Sequence, residues 1–151
     1  MKSNPALRLL ESYPFQLEIL TRFSDTDPQH HINNVAIAEF YQEARLAFHR
    51  SFEPEFERPK DSRVLVAHHA MDYLDEIHYP GALTIGVGIA RIGTTSYTFA
   101  AAMFQHEKCV GLASTVIVNG GPDGPTPLPP ELRVVLERRM LSGTANDVIP
   151  A

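Results

Sequence analysis

Residues 33–50 read NNVAIAEFYQEARLAFHR, and this stretch decides the fold of the chain. Its apolar side chains recur at helical spacing and share one face: Ile37, Phe40, Tyr41, Ala44 and Phe48. Asn33 or Asn34 is a suitable N-cap, because its side-chain oxygen can accept from an amide that a helix leaves unpaired. The stretch therefore predicts one long amphipathic helix that ends near Arg50.

Patterns of period two flank this helix and predict β-strands. Before it, the apolar or β-branched positions are Phe15, Leu17, Ile19 and Thr21. After it, strands are predicted near residues 64–68, 83–89, 97–104 and 110–118, and we expect them to form a four-strand antiparallel meander. One helix beside antiparallel strands favours an α+β fold in which the sheet wraps around one long central helix. A short C-terminal helix is predicted from Leu128 to about Leu141.

The composition is typical of a single domain: 151 residues, 44% hydrophobic and 21% charged. We expect an N-terminal arm at 1–14, one domain at 15–141 and a flexible C-terminal tail at 142–151. The 13 Lys and Arg against 18 Asp and Glu give a net charge of −5, which disfavours a nucleic-acid partner. No apolar run approaches the roughly 20 residues that cross a bilayer. We therefore expect no membrane partner. Since the single Cys109 can build no internal disulfide, we expect a cytoplasmic protein.

The candidate site is the polar loop predicted at residues 24–31, directly before the helix. It contains two carboxylates and two imidazoles: Asp25, Asp27, His30 and His31. A helix N-terminus offers unpaired N–H groups and a partial positive charge. A carboxylate beside such donors suits acyl transfer to water, because negative charge develops on the carbonyl oxygen. The alternative is that both aspartates only cap and turn the chain.

The sequence of this loop and helix resembles a known signature. Residues 22–34 read RFSDTDPQHHINN and residues 40–45 read FYQEAR. They are similar to the D-x-D-x-x-G-H-V-N-N loop and Y-x-E-A-R helix of the hotdog-fold acyl-CoA thioesterases of the 4-hydroxybenzoyl-CoA thioesterase type. The stretches 71–81, 91–97 and 127–133 also resemble that family, so the likeness covers about residues 15–137. It implies a hotdog fold and hydrolysis of an acyl-CoA or acyl-carrier-protein thioester to the free acid.

The resemblance assigns three catalytic residues. Asp27 matches the family's carboxylate, which serves as nucleophile or as general base toward water. Asn34 matches the residue whose backbone N–H polarises the thioester carbonyl. His31 matches the motif histidine, whose role is to orient the carboxylate or the water, the alternative being a hydrogen bond to loop backbone. The family uses no metal or redox cofactor and places its active sites between subunits, which implies a homodimer or homotetramer.

Further residues are assigned to substrate binding: Gln29, His30, Ile37, Glu43, Arg91, Thr95 and Ser96. His30 stands where the family has Gly, and Ile37 stands where it has Tyr, so both bear on the shape of the acyl pocket. Glu43 is a second candidate base, since related hotdog enzymes use a helix Glu. Arg91, Thr95 and Ser96 lie in a stretch similar to the family's pantetheine and phosphate contacts.

Two other functions stay open. Residues 25–30 are similar to the D-x-N-P-x-H run of hotdog enoyl-CoA hydratases, in which Asp and His activate water together. A non-catalytic acyl-CoA-binding module would keep the fold without turnover. A metal site built from the aspartates and histidines of residues 25–31 with His68 and His69 is not expected, because adjacent residues rarely point at one ion.

Overall fold

The computed structural model describes residues 4–142, and its main elements follow the predicted order of one strand, one long helix and several strands. The strands are β1 (Phe15–Leu20), β2 (Arg63–Tyr73), β3 (Ala82–Ile92), β4 (Ser96–Gln105), β5 (Lys108–Gly121) and β6 (Gly124–Pro125). The α-helices are α1 (Asn34–Phe52) and α2 (Pro130–Glu137), and short 3-10 helices lie at Pro5–Arg8, Leu10–Ser12, Phe23–Asp25 and Glu53–Glu55. Apart from Ser142, the predicted C-terminal tail lies outside the described residues.

All strands belong to one antiparallel sheet with the order β1-β3-β4-β5-β2, and β6 pairs with β5. Three of the four strands predicted as a meander, β3, β4 and β5, form one, but the prediction is wrong for β2. This strand pairs with β5, with Val66 opposite Ile117. The reason is that both edges of β3 are taken, by β4 and by β1, whose Phe15 lies opposite Val87.

The concave face of the sheet packs against α1, which confirms the predicted α+β arrangement of a sheet around one long helix. Ala44, Phe48 and Phe52 of α1 are buried in this core. Alternate residues of β3 meet them from the sheet: Leu83, Ile85, Val87 and Ile89. Since residues two apart on a strand share a face, these four side chains form one continuous apolar surface under the helix.

The C-terminal helix is shorter than predicted, because the chain leaves it to pair with β3. After α2, the amide of Ile89 donates to the carbonyl of Arg139 at 2.8 Å. The amide of Leu141 donates to the carbonyl of Ile89 at 2.9 Å. These hydrogen bonds are incompatible with a helix that continues to Leu141, so Met140 and Leu141 pack from an extended segment beside β3.

The opposite face of the sheet is covered by the N-terminal arm. Leu7 and Tyr13 are buried there in a second apolar cluster with Leu141. Two glycines of β3 make room for this layer: a Cβ on Gly86 would lie 2.7 Å from the Tyr13 ring, and one on Gly88 would lie 2.7 Å from Leu141. The arm is therefore a packed layer of the domain.

The strand β2 forms one edge of the sheet, and every residue in it is exposed or partly exposed. Its large apolar side chains at the surface are Val64, Leu65, Val66 and Tyr73. An edge strand presents unpaired N–H and C=O groups that can pair with another chain. Within residues 4–142, no helix is both long enough and apolar enough to span a membrane.

Candidate active site

Asp25 has a structural role in the loop before α1. Its buried carboxylate accepts from the side chain of Arg22, with Nη2 at 2.7 Å from Oδ1, and from the Arg22 amide at 2.8 Å. The hydrogen bonds from the Arg22 side chain lower the pKa of Asp25. The carbonyl of Asp25 also accepts from the amide of Asn33 at 2.8 Å. Asp25 thus fixes the 3-10 turn Phe23–Asp25, which lies partly within the segment predicted as loop, to the start of the helix.

Asp27 organises the turn that follows. Its Oδ1 accepts from the amide of Gln29 at 2.9 Å and from the amide of His31 at 3.3 Å. The Asp27 amide donates to the carbonyl of His31 at 2.9 Å, which closes the turn. No residue between 4 and 142 donates a hydrogen bond to Oδ2 of Asp27. One carboxylate oxygen is therefore held by backbone, and the other is left for a ligand or water.

His30 occupies a position that favours glycine. Its φ is +63°, in the left-handed region that residues with a Cβ rarely adopt. Its amide donates to the carbonyl of Asp27 at 2.9 Å, so the turn itself imposes this conformation. The positive φ favours glycine here whether or not the pocket needs the space, which accounts for the Gly at this position of the resembled motif.

The start of α1 supplies backbone donors. Asn33 is the N-cap, and its side-chain oxygen accepts from the amide of Ala36 at 2.7 Å. Asn34 is the first residue of the helix, and its amide has no acceptor in the described part of the chain. Because the helix dipole adds a partial positive charge here, the Asn34 amide suits a developing oxyanion.

A cleft of about 230 Å³ brings the loop, the helix start and the end of β2 together. One wall consists of Asp27, His31, Ile32, Asn34 and Ile37, and the other consists of Tyr73, Asp75, Glu76 and Ile77. The amide of Ile32 donates to the carbonyl of Ile77 at 2.9 Å, which joins the walls at the base. Four of the predicted site residues thus share this cleft, namely Asp27, His31, Asn34 and Ile37.

The wall from the β2 end carries charge. His31 Nε2 lies 3.2 Å from Glu76 Oε2, and His78 Nε2 lies 3.8 Å from the same oxygen. Asp75 pairs with Lys108, and this hydrogen bond lowers the pKa of Asp75. The side chain of His31 therefore faces a carboxylate, in addition to its backbone contacts with Asp27.

The remaining predicted site residues do not line this cleft. Gln29 and His30 are exposed on the turn outside it, and Glu43 lines another cavity with Arg22 and Glu39. Arg91, Thr95 and Ser96 lie at the hairpin between β3 and β4. The loop before α1 meets the opposite end of β3, where the amide of Thr21 donates to the carbonyl of Gly81. At about 3.3 Å per residue, the segment from Gly81 to Arg91 is about 30 Å long.

Sequence reasoning missed the wall that comes from the end of β2: Tyr73, Asp75 and Glu76. No spacing in the sequence links these residues to the loop, since the helix and the whole of β2 lie between them. The available signal was the resemblance of residues 71–81 to the family, which pointed to the stretch without assigning roles in it.

Comparisons with known proteins identify relatives of this chain. The family model described as Thioesterase-like superfamily matches residues 21–136. The uncharacterized Bacillus subtilis protein YsmA is 30% identical over 87 residues, which is 58% of this chain and 58% of that relative.

Solved structures share the fold over most of their length. A Pseudomonas aeruginosa protein is 25% identical with a TM-score of 0.77, over 89% of this chain and 97% of that chain. A predicted thioesterase from Bacillus stearothermophilus is 29% identical with a TM-score of 0.76, over 85% and 98%. A thioesterase from Thermus thermophilus, complexed with coenzyme A and Zn, is 23% identical with a TM-score of 0.73, over 85% and 95%. The family model spans the loop, the long helix, the strands from β2 to β6 and most of α2. On this evidence the chain belongs to the thioesterase-like superfamily and has its hotdog fold.

Proposed function

We propose that the protein is a thioester hydrolase of the 4-hydroxybenzoyl-CoA thioesterase type, which cleaves an acyl-CoA thioester to the free acid and coenzyme A. An acyl-carrier-protein thioester is the alternative form of the substrate. The observation that carries the proposal is that Asp27 and Asn34 line one cleft. Asp27, which has a carboxylate oxygen without a partner, and Asn34, whose amide is unpaired, line the same cavity.

In the proposed reaction, the thioester carbonyl oxygen accepts from the Asn34 amide. As general base, Asp27 takes a proton from water, the water oxygen bonds to the carbonyl carbon, the C–S bond breaks, and the proton returns to the thiolate. As nucleophile, the Asp27 carboxylate forms an acyl anhydride with release of thiolate, and water then hydrolyses the anhydride. Neither route needs a metal or a redox cofactor.

His31 is proposed to position Asp27. Its amide donates to Asp27 Oδ1, and its ring is paired with Glu76 across the cleft. Ile37 lines the same cleft and adds an apolar surface for the acyl group. Gln29 and His30 lie on the rim, where they are proposed to contact substrate that extends beyond the cleft.

The proposed coenzyme A contacts of Arg91, Thr95 and Ser96 are assigned to a second copy of the chain, since within one chain they lie at the hairpin between β3 and β4 and do not line the cleft of Asp27. The exposed edge strand β2, with Leu65 and Val66 each 53% exposed, supports assembly into a homodimer or homotetramer. A protein of this fold from Thermus thermophilus binds coenzyme A, which is compatible with the substrate class proposed here.

The geometry does not favour the hydratase alternative. That reaction would use Asp25 with His30, but the carboxylate of Asp25 is buried and already paired with Arg22. His30 is exposed and does not line the cleft. Glu43 likewise lines a different cavity from Asp27, so the structure offers it no shared site with the Asn34 amide.

Thiol release from acyl-CoA thioesters of varied length and aromaticity tests the proposal, with wild type and Asp27→Asn run side by side. The Asn side chain keeps an oxygen acceptor for the amides of Gln29 and His31, so the variant removes the charge and retains the turn. We expect hydrolysis to fall about a hundredfold or more. The matched control is Asp123→Asn in the exposed turn before β6, which should hydrolyse at the wild-type rate.

Equal rates in wild type and Asp27→Asn would refute the carboxylate mechanism. A complete absence of thiol release, with acyl-CoA bound and recovered intact, would identify a binding module in place of an enzyme. Circular dichroism and gel filtration of each variant would verify that fold and assembly are unchanged.

A further inference from the structure

Three metal-ligating side chains converge at one side of the cleft. His31 comes from the loop before α1, and Glu76 and His78 come from the connection between β2 and β3; their donor atoms all lie within 4.8 Å of one another. Glu76 Oε2 is 3.2 Å from His31 Nε2 and 3.8 Å from His78 Nε2. In the proposed hydrolysis His31 positions Asp27 and Glu76 is the partner of the His31 ring, while His78 has no role.

The backbone holds the two histidines in register. His31 and His78 form an antiparallel bridge, and directly opposed residues of such a pair have Cβ atoms about 4.5–5.5 Å apart on the same side. The buried side chain of Gln105 fixes His78 on both backbone groups: Oε1 accepts from the amide at 3.0 Å, and Nε2 donates to the carbonyl at 2.8 Å. The backbone therefore holds the two histidines side by side, and rotation of the side chains sets the final distance between the rings.

Glu76 has no lysine or arginine partner in residues 4–142; its ion-pair partners there are the two histidines. The neighbouring Asp75 forms an ion pair with Lys108. Two imidazoles and one carboxylate are a donor set typical of Zn²⁺ and related divalent ions. In a tetrahedral site with bonds of about 2.0–2.1 Å, donor atoms lie about 3.3 Å apart. The His31–Glu76 separation of 3.2 Å matches this value, and the His78–Glu76 separation of 3.8 Å is longer.

We propose that His31 Nε2, the Glu76 carboxylate and His78 Nε2 bind one divalent transition-metal ion of the Zn²⁺ or Co²⁺ class. The side chains of Glu76 and His78 are 60% and 57% exposed, so they can rotate to bonding distance without repacking the core. The remaining coordination position is open to water. His31 and Glu76 line the cleft that holds Asp27, so the ion sits at its edge. We expect the bound ion to inhibit hydrolysis, and this expectation rests on the proposed function. The binding of the ion itself does not depend on that function.

Cobalt binding to the full chain, without an affinity tag and after treatment with a chelator, tests the proposal in the absence of any substrate. We expect one Co²⁺ per chain with visible d–d absorption, and competition by Zn²⁺ in isothermal titration calorimetry. Glu76→Gln and His78→Gln should each weaken binding about tenfold or more. The matched control is His106→Asn in the exposed turn between β4 and β5, where Asn tolerates the φ of +50°. This variant should bind as the wild type does.

Absence of saturable binding by the wild type would overturn the site. Equal Co²⁺ affinity in the wild type and in both cluster variants would also overturn it. An equal loss of affinity in His106→Asn would do the same, since either result would place the ion elsewhere. Because the readout is the metal spectrum, a protein that fails to hydrolyse thioesters still reveals whether the ion binds. Thermal melts of Glu76→Gln and His78→Gln without metal would distinguish a lost ligand from a lost fold.

Discussion

Arg22 holds both carboxylate oxygens of Asp25, with Nη2 at 2.7 Å from Oδ1 and Nε at 3.2 Å from Oδ2. The hydrogen bonds from Arg22 lower the pKa of Asp25 in the folded chain. A carboxyl with a lowered folded pKa contributes stability above its unfolded pKa of about 3.9 and loses it as pH falls through the lower folded value. We expect Asp25→Asn to be less stable than wild type at pH 7 and the difference to shrink below about pH 4.

Urea denaturation at pH 7 and pH 3 measures this difference. Asp61→Asn, in the exposed segment before β2, serves as the control and should be as stable as wild type at both values. A destabilisation of Asp25→Asn that is the same at both pH values would contradict the charge-dependent role of this carboxylate.

His30→Gly should stabilise the protein. The left-handed backbone at φ +63° costs a residue with a Cβ about 1 kcal/mol, and glycine adopts it freely. We expect the free energy of unfolding to rise by up to about 1 kcal/mol, and the melting temperature to rise with it. Gln29→Gly, one residue earlier and without a positive φ, should lower both quantities. A His30→Gly protein less stable than wild type would show that the imidazole makes contacts that outweigh the strain.

Asn34→Pro tests whether the Asn34 amide is the oxyanion donor. Proline is tolerated at the first residue of a helix, and the preceding Asn33 has φ −69° and ψ 154°, which is the conformation that a following proline favours. The substitution therefore removes one N–H while keeping the helix. We expect a loss of about 10²–10³ in kcat relative to Asn34→Ala, which retains the amide. Equal kcat values in the two variants would assign the oxyanion to another donor.

Gly111→Ala should destabilise the core through its contact with Tyr41. A Cβ at this position would lie 2.7 Å from the Tyr41 hydroxyl, which is buried and accepts or donates no hydrogen bond within the described chain. We expect a loss of about 1–3 kcal/mol. In a Tyr41→Phe background the hydroxyl is absent, so the same substitution should cost less. A double-mutant cycle from urea denaturation measures the coupling, and strict additivity would contradict the contact.

The elements of the fold can be predicted from the sequence, because periodicity reports which face of each strand or helix is buried. The helix with Phe40 and Phe48 and the alternation of Leu83 and Ile85 are recognisable in this way. Periodicity does not specify the partner of a strand, which is why the sequence predicts β2 beside β3, whereas it lies beside β5. Pairing depends on which sheet edge is free, a property of the whole sheet.

The part of the candidate site that lies within one short stretch of sequence can be predicted from that sequence. The Asp27 turn and the helix start lie within one short stretch, and the structure places both in the cleft. The opposite wall, with Asp75 and Glu76, comes from the far end of β2, so no spacing in the sequence could reveal it. The predicted role of Arg91 stays a prediction that depends on a second copy of the chain.

The strand order β1-β3-β4-β5-β2 also sets the order in which the molecule can be assembled. During synthesis, β1 has no partner until β3 has emerged, and β2 has none until β5 has followed. After β2, the amides of Leu74 and Asp75 donate to the carbonyl of Val110 in β5, so these hydrogen bonds also wait for β5. A nascent chain truncated before β5 therefore carries the complete loop and helix, while one wall of the cleft lacks its hydrogen bonds to the sheet.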